Sequence, residues 1–233
     1  MSWLAISVQD GVATRLVVGM VAWAVTMGLH EGGHAWAAWW LGDPTAYNMG
    51  KRTINPVRHV DWNSPASVIS SVVLPAVTSI AFGIPMGMAS VPVSPSYFRH
   101  PLRDHALVAL AGPLGDFVAA VGAFLLMLAL WPLLRGNEGA GVELASHIIV
   151  VTYVAAIWYG VLNLVPIPPL DGSNILYYFG NQNLRHFMDQ IRPFGFFIFI
   201  AVFWIGGGGR ILDPAIGLLI WPFLNLPPMV WGS

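Results

Sequence analysis

Long apolar stretches separated by short polar ones run through most of the chain. A helix needs roughly 20 apolar residues to cross about 30 Å of hydrocarbon, and residues 12–41, 105–134 and 143–165 each reach that length. A further apolar stretch covers residues 194–226. This pattern predicts an all-α polytopic membrane protein with about four to six transmembrane helices.

The apolar stretch 67–89 differs from the others because prolines and glycines interrupt it, at Pro75, Gly83, Pro85 and Gly87. Bent backbone is tolerated at membrane depth only where protein surrounds it. This stretch therefore favours a re-entrant hairpin, with an ordinary kinked span as the alternative. The polar segment 51–64 before it is rich in turn formers and predicts a small polar or β loop.

The composition agrees with a chain whose solvent is the lipid bilayer. Hydrophobic residues make up 56% of the chain and charged residues only 9%, against about a quarter charged in soluble domains. No long polar block interrupts the apolar stretches. We therefore expect one membrane-embedded domain over residues 1–233, with a core at 12–180 and C-terminal hydrophobic segments at 193–226.

Charge and cysteine content exclude several classes of function. The formal net charge of −1 argues against a nucleic-acid partner. The chain has no cysteine, so disulfides, thiolate zinc sites and cysteine nucleophiles are excluded. Any metal must therefore be bound by histidines and carboxylates.

Residues 30–34 read HEGGH, which is the H-E-x-x-H pattern. Residues four apart share one face of a helix, so His30 and His34 can bind the same Zn²⁺, with Glu31 beside them as a general base. An acid at the centre of a membrane helix costs about 2.5–3.5 kcal/mol on insertion scales, which favours a functional role. The alternative is a buried polar cluster that links helices.

A catalytic zinc needs a third protein ligand and an open position. The residue six positions after His34 is Trp40, so a third histidine at that spacing is missing. Among distant acids in apolar sequence, Asp116 and Asp171 stand out. Asp171 follows three closely spaced prolines and precedes a glycine, which suits a carboxylate presented from rigid backbone. The alternative for Asp171 is a loop residue that caps the next helix.

Three motifs together resemble the site-2 protease family of intramembrane zinc metalloproteases. They are HEGGH at 30–34, NLVPIPPLDG at 163–172, and AGP at 111–113, where we expect it to open a helix. Within that family, KRTINPVRHVD at 51–61 resembles a loop of a compact prokaryotic subgroup without PDZ or CBS domains. The matching motifs extend from residue 30 to about residue 175.

The resemblance implies a role for each matching residue. It implies one Zn²⁺ held by His30, His34 and Asp171, with Glu31 as the general base and acid. Asn163 would bind the substrate backbone or the oxyanion, and Asn55 and His59 would line the cleft. The chain departs from the family at Asp116, where an asparagine is common, and at Lys51, where the loop motif has glycine. We expect Asp116 to lie just behind the metal ligands.

The order of the apolar stretches and the distribution of charge predict a topology and an orientation. If Asp171 meets His30 and His34, residues 67–89 must begin and end at one membrane face, here called the active-site face. Of the ten basic residues, three would lie at the opposite face: Arg15, Arg135 and Arg210. Seven would lie at the active-site face: Lys51, Arg52, Arg58, Arg99, Arg103, Arg185 and Arg192. The positive-inside rule then places that face in the cytoplasm of a prokaryotic cell, with the multi-pass protein in the inner membrane.

The sequence therefore predicts a zinc metalloendopeptidase that hydrolyses peptide bonds in or near transmembrane segments of a membrane-protein substrate. Two other classes stay open, a non-catalytic membrane scaffold or sensor and a metal or proton transporter. Intramembrane histidines and acids also mark ion pathways. Only the protease has cleavage to lose when Glu31 is replaced by glutamine.

Overall fold

A computed structural model describes residues 11–134, 137, 139–205, 207 and 209–231, which are largely helical and include no strand. The helices are, in chain order, α1 (Val12–Trp40), α2 (Thr45–Asn48), α3 (Pro65–Phe82), α4 (Pro101–Leu134), α5 (Ala140–Asn163), α6 (Asp171–Phe179), α7 (Gln182–Ile191), α8 (Gly195–Ile200) and α9 (Gly209–Trp231). In that part of the chain four helices, α1, α3, α4 and α5, are long and apolar enough to cross a membrane. The predicted all-α polytopic fold is confirmed.

Helix α1 lies at the centre and packs against α3, α4 and α5. Its crossing with α4 is close because both helices have glycine there. A side chain at Gly33 would collide with the carbonyl of Ala111, and one at Gly115 would collide with the carbonyl of Leu29. Small residues allow membrane helices to approach at backbone distance. This brings α4 directly beside the HEGGH turn.

The AGP motif does not open a helix as expected. Helix α4 begins at Pro101, and Pro113 lies inside it. Proline inside a helix removes one backbone hydrogen bond, which membrane helices tolerate because neighbouring groups satisfy the freed backbone. Here both α1 and α6 pack against α4. Tertiary packing therefore overrides the tendency of Pro113 to end a helix.

The chain folds back on itself after α3. Gly83 ends this helix with a positive φ of 73°, a conformation that glycine adopts without strain. The following segment then runs back along α3. The amide of Met86 donates to Thr78 Oγ1 at 2.7 Å, and the amide of Met88 donates to the carbonyl of Ser70 at 3.0 Å.

Both ends of this hairpin lie at one end of the bundle. The amide of Ser94, after the hairpin, donates to Oδ2 of buried Asp43 just after α1. Lys51 Nζ donates to the carbonyl of Ser90 at 3.5 Å. Residues 67–89 therefore enter and leave the bundle at the same end, as the predicted hairpin does, and not at opposite ends like a kinked span.

The polar segment 51–64 forms turns around a short 3₁₀ helix, Pro56–Arg58, and contains no strand. Its start is held by cation–π contacts, because the guanidinium of Arg52 lies 4.0 Å from the ring centroid of Trp39 and 4.6 Å from that of Tyr47. The loop is polar and rich in turns, as predicted. The backbone turns at Thr53–Pro56 leave no extended run that could form a strand.

The C-terminal helix α9 packs on α5 away from the HEGGH turn. The rings of Tyr153 and Phe223 stack with centroids 4.1 Å apart, and the hydroxyl of Tyr153 donates to the carbonyl of Leu219 at 2.6 Å. These contacts belong to the largest hydrophobic cluster of the described residues, formed mainly by α4, α5 and α9.

Candidate metal centre and active site

Three side chains from two distant parts of the chain converge on one point. His30 Nε2 and His34 Nε2 lie 3.1 Å apart. Oδ2 of Asp171 lies 3.2 Å from the first and 3.4 Å from the second. Among the described residues, these three form the group of histidines and acids that could hold a metal ion.

Both imidazoles are oriented by α4. His30 Nδ1 lies 2.7 Å from Asp116 Oδ2, and His34 Nδ1 lies 2.7 Å from the carbonyl oxygen of Val108. Each of these oxygens accepts a hydrogen bond, so each Nδ1 carries the proton. The neutral imidazoles then direct the lone pair of Nε2 toward Asp171.

Asp171 is the first residue of α6 and follows a tightly turned connection from α5. The carbonyl of Leu170 accepts from the amide of Ser173 at 3.0 Å, and Gly172 has no room for a side chain against the carbonyl of Leu164. Oδ2 of the Asp171 carboxyl is thus directed at Nε2 of the two histidines.

Glu31 lies beside this group and is 5% exposed. Its Oε2 is buried without a hydrogen-bond partner in the described part of the protein. An unpaired carboxylate oxygen inside a membrane helix is costly and marks a functional site. Oε2 of Glu31 is thus available to hydrogen-bond a bound molecule.

The three residues of the metal group and Glu31 line one cavity of about 550 Å³. Asn163, at the end of α5, and Asp116 also contribute to its walls. The returning limb of the hairpin forms another part of the wall, because residues 86–91 line the same cavity as the metal group. The sequence pointed to the hairpin through its prolines and glycines, but its place in the cavity wall depends on tertiary packing.

Asn55 and His59 do not belong to the cavity walls in the described structure. Asn55 Oδ1 accepts from the amide of Val57 and begins the 3₁₀ helix. His59 is 1% exposed, with Nε2 2.8 Å from the carbonyl oxygen of Thr53. Burial lowers the pKa of His59, so this ring is neutral at neutral pH and Nε2 donates. A role in substrate binding stays a prediction for both residues.

Several known proteins are similar to this chain over most of its length. It is 30% identical over 209 residues to "Putative zinc metalloprotease YwhC" of Bacillus subtilis (strain 168), covering 86% of this chain and 83% of that protein. It is 27% identical over 186 residues to "Putative zinc metalloprotease Rip2" of Mycolicibacterium smegmatis, covering 80% and 66%. The Mycobacterium tuberculosis protein of the same name is 32% identical over 174 residues, covering 74% and 61%.

The chain belongs to the site-2 protease family. No family model and no solved structure matches it. As a member of this family with four helices long and apolar enough to cross a bilayer, it is an integral membrane protein. Zinc is the cofactor that this membership implies, and His30, His34 and Asp171 are the group that could hold it.

The spacing of the group fits zinc. Ligand atoms at about 2.0–2.1 Å from a tetrahedral zinc lie roughly 3.3 Å from one another. The three facing atoms are 3.1–3.4 Å apart. Two lone pairs and a carboxylate oxygen at such distances repel one another without a cation between them. The donor set of this family member therefore matches the metal that the names of its relatives give.

Asp116 is the clearest departure from the family pattern, and its role can be tested. Replacing Asp116 with asparagine is expected to weaken zinc binding about tenfold. This is the smaller end of the roughly 10–100-fold loss of affinity seen when a hydrogen-bond partner of a metal ligand is replaced. The amide oxygen can still accept from His30, but it lacks the charge that makes the imidazole a stronger ligand. The measurement is competition for zinc with a chromophoric chelator.

The control for this substitution is Asp213→Asn, at an exposed position in α9. Zinc affinity should be unchanged in that variant. Equal affinity in the Asp116→Asn variant and the unmodified protein would contradict the orienting role of the carboxylate.

Proposed function

We propose that this protein is an intramembrane zinc metalloprotease that hydrolyses peptide bonds in or near transmembrane segments of membrane-protein substrates. One observation carries the proposal: the metal group and Glu31 share a cavity deep in the helix bundle. His30 lies ten residues before the end of α1 at Trp40, which is about 15 Å along the helix axis. Water-dependent chemistry at that depth suits a substrate that lies in the bilayer.

In this proposal His30, His34 and Asp171 would hold the zinc, which would supply Lewis acidity toward water and the scissile carbonyl. Glu31 takes the proton of the attacking water and then donates it to the leaving amine nitrogen. The side-chain amide of Asn163, in the cavity wall, donates a hydrogen bond to the carbonyl oxygen as its negative charge grows. These interactions are stronger in a buried cavity than in bulk water, because the effective dielectric constant is lower.

A helical substrate hides its carbonyls in its own hydrogen bonds, so the cleaved segment must be extended. The returning limb of the hairpin offers it a partner. The carbonyl of Gly87 and the amides and carbonyls of Ala89 and Val91 have no hydrogen-bond partner within the described residues. We infer that an extended substrate segment pairs with this edge beside the metal group, as strands add to exposed sheet edges.

We further propose that residues 1–233 form one membrane-embedded protease domain and that the active-site face is cytoplasmic, in the inner membrane of a prokaryotic cell. Lys51 and the loop after it stand at the end of the bundle where the hairpin enters and leaves. Of the three basic residues expected at the opposite face, Arg135 lies outside the described residues.

The proposal is tested by removing and restoring the metal in purified protein reconstituted into lipid vesicles with candidate membrane substrates. Zinc removal by a strong chelator is expected to stop cleavage, and added zinc should restore it, since the metal polarises both reactants. Product is measured by mass spectrometry and zinc by elemental analysis. Cleavage that survives complete zinc removal would overturn the proposal, as would zinc-loaded protein that cuts none of a broad panel of substrates.

A further inference from the structure

The hydroxyl of Tyr159 makes two hydrogen bonds to the returning limb of the hairpin. It donates to the carbonyl of Pro85 at 2.8 Å and accepts from the amide of Gly87 at 3.1 Å. Tyr159 lies in α5, one turn before Asn163, and both residues line the cavity. A single side-chain oxygen thus bridges two backbone groups that are two residues apart.

The limb is extended, because its alternate amides point in opposite directions. The amides of Met86 and Met88 bond to α3, through Thr78 Oγ1 and the carbonyl of Ser70. The amide of Gly87 points the other way, to Tyr159. In an extended chain, the backbone groups of every second residue face the same side. The backbone amides and carbonyls of Ala89 and Val91 therefore point to the same side of the limb as the amide of Gly87, which bonds to Tyr159.

The two bonds of Tyr159 copy those of one residue in a neighbouring parallel strand. Such a residue donates to one carbonyl and accepts from the amide two residues further on. The hydroxyl therefore fills one complete pairing position on this edge. The next positions, from the carbonyl of Gly87 through Ala89 to Val91, have no partner among the described residues.

We propose that Tyr159 is a positioning residue that sets the register of the substrate strand and so selects which peptide bond is cut. The inference rests on the proposed function. An extended substrate can pair at Ala89 and Val91 but cannot slide toward Pro85, because the hydroxyl already occupies that position. Tyr159, which blocks the position near Pro85, and Asn163, in the cavity wall, both belong to α5. Their spacing is therefore fixed by one helix.

Holding the limb in place does not require this hydroxyl. Met86 and Met88 are bonded to α3 independently, and the hydroxyl of Ser71 donates to the carbonyl of Met88 at 2.7 Å. The hairpin therefore keeps its path when the hydroxyl of Tyr159 is removed. What changes is that the carbonyl of Pro85 and the amide of Gly87 become free to pair.

The test is Tyr159→Phe, assayed with a membrane substrate that the unmodified protein cuts at one bond. In the variant, the ratio of product cut about two residues away to product cut at the original bond should rise about tenfold. The reason is that the shifted strand can bond to both the carbonyl of Pro85 and the amide of Gly87, and each bond has a modest net worth because the freed groups otherwise bond to water. Mass spectrometry of the products measures this ratio, with zinc content measured alongside.

Tyr153→Phe is the matched control. Tyr153 lies on the same helix, and its hydroxyl also donates to a backbone carbonyl, that of Leu219, but it does not line the cavity. Its cleavage site should not move. If Tyr159→Phe cuts only at the original bond, whether quickly or slowly, the register role is wrong. If the unmodified protein cuts nothing, the proposed function fails instead.

A second measurement needs no activity. The chain contains no cysteine, so Ala89→Cys in the Glu31→Gln background can be crosslinked to a series of substrates with one cysteine each. The substrate position of strongest crosslinking should move by about two residues when Tyr159→Phe is added. An unmoved maximum would overturn the inference, even if the active form of the variant failed to cut.

Discussion

Glu31→Gln is expected to lower the rate of peptide hydrolysis by on the order of 10²–10⁴-fold while zinc stays bound. The amide has nearly the shape of the carboxylate, but it cannot accept the proton of the attacking water. The three residues that form the metal group are unchanged, so zinc affinity should be close to that of the unmodified protein. Turnover of a membrane substrate in vesicles and zinc per protein are the two quantities to measure.

Glu143→Gln is the matched control, because Glu143 is exposed in the first turn of α5. This variant should keep full activity. Full activity in Glu31→Gln would contradict the role of the carboxylate as a base. Loss of zinc together with activity would show that Glu31 supports the metal group instead. A scaffold or a transporter would show no cleavage in any of the three proteins.

Gly112→Ala is expected to weaken zinc binding by about 100-fold and to reduce proteolysis with it. A Cβ at Gly112 would fall on the ring of His34 and within 2.8 Å of His30 Cε1. Overpacking of this kind costs about 1–3 kcal/mol, and about 1.4 kcal/mol corresponds to a tenfold change in affinity. Because Gly112 belongs to the long helix α4, the imidazoles must move, and they can no longer meet Asp171 together.

Gly122→Ala on the same helix is the control, since a Cβ there meets no other atom within 4 Å. Zinc should raise the unfolding temperature of Gly112→Ala much less than that of the control, whatever the two temperatures are without zinc. Zinc-dependent stabilisation of Gly112→Ala equal to that of the control would show that the imidazoles adapt to the added methyl group.

Most of the central site could be predicted because its signals are local. The spacing of His30 and His34 places them on one helical face wherever that helix lies. Prolines and glycines in residues 67–89 indicated a hairpin, because bent backbone needs protein around it at membrane depth. Asp171 was one of two candidate acids in apolar sequence, and its proline-rich surroundings together with the resemblance to the family favoured it over Asp116.

The errors and omissions have one cause, which is that local signals do not report contacts between helices. Pro113 suggested the start of a helix, yet packing against α1 and α6 carries α4 through it. The side chain of Asn55 begins a 3₁₀ helix and does not line the described cavity, so its expected role in substrate binding stays a prediction. Tyr159 had no distinguishing pattern at all, because a tyrosine in an apolar helix usually only packs.

The sequence by itself determined the membrane class, the helical fold and the chemistry of HEGGH, since these depend on composition and on spacing within one helix. Only the tertiary structure decided which oxygens orient the two imidazoles, that the hairpin limb forms a cavity wall, and that Tyr159 fills one position on its edge. Those features depend on how α1, α4 and α5 are rotated and how closely they cross. Glycine contacts at Gly33 and Gly115 set that approach, and no single helix contains the information.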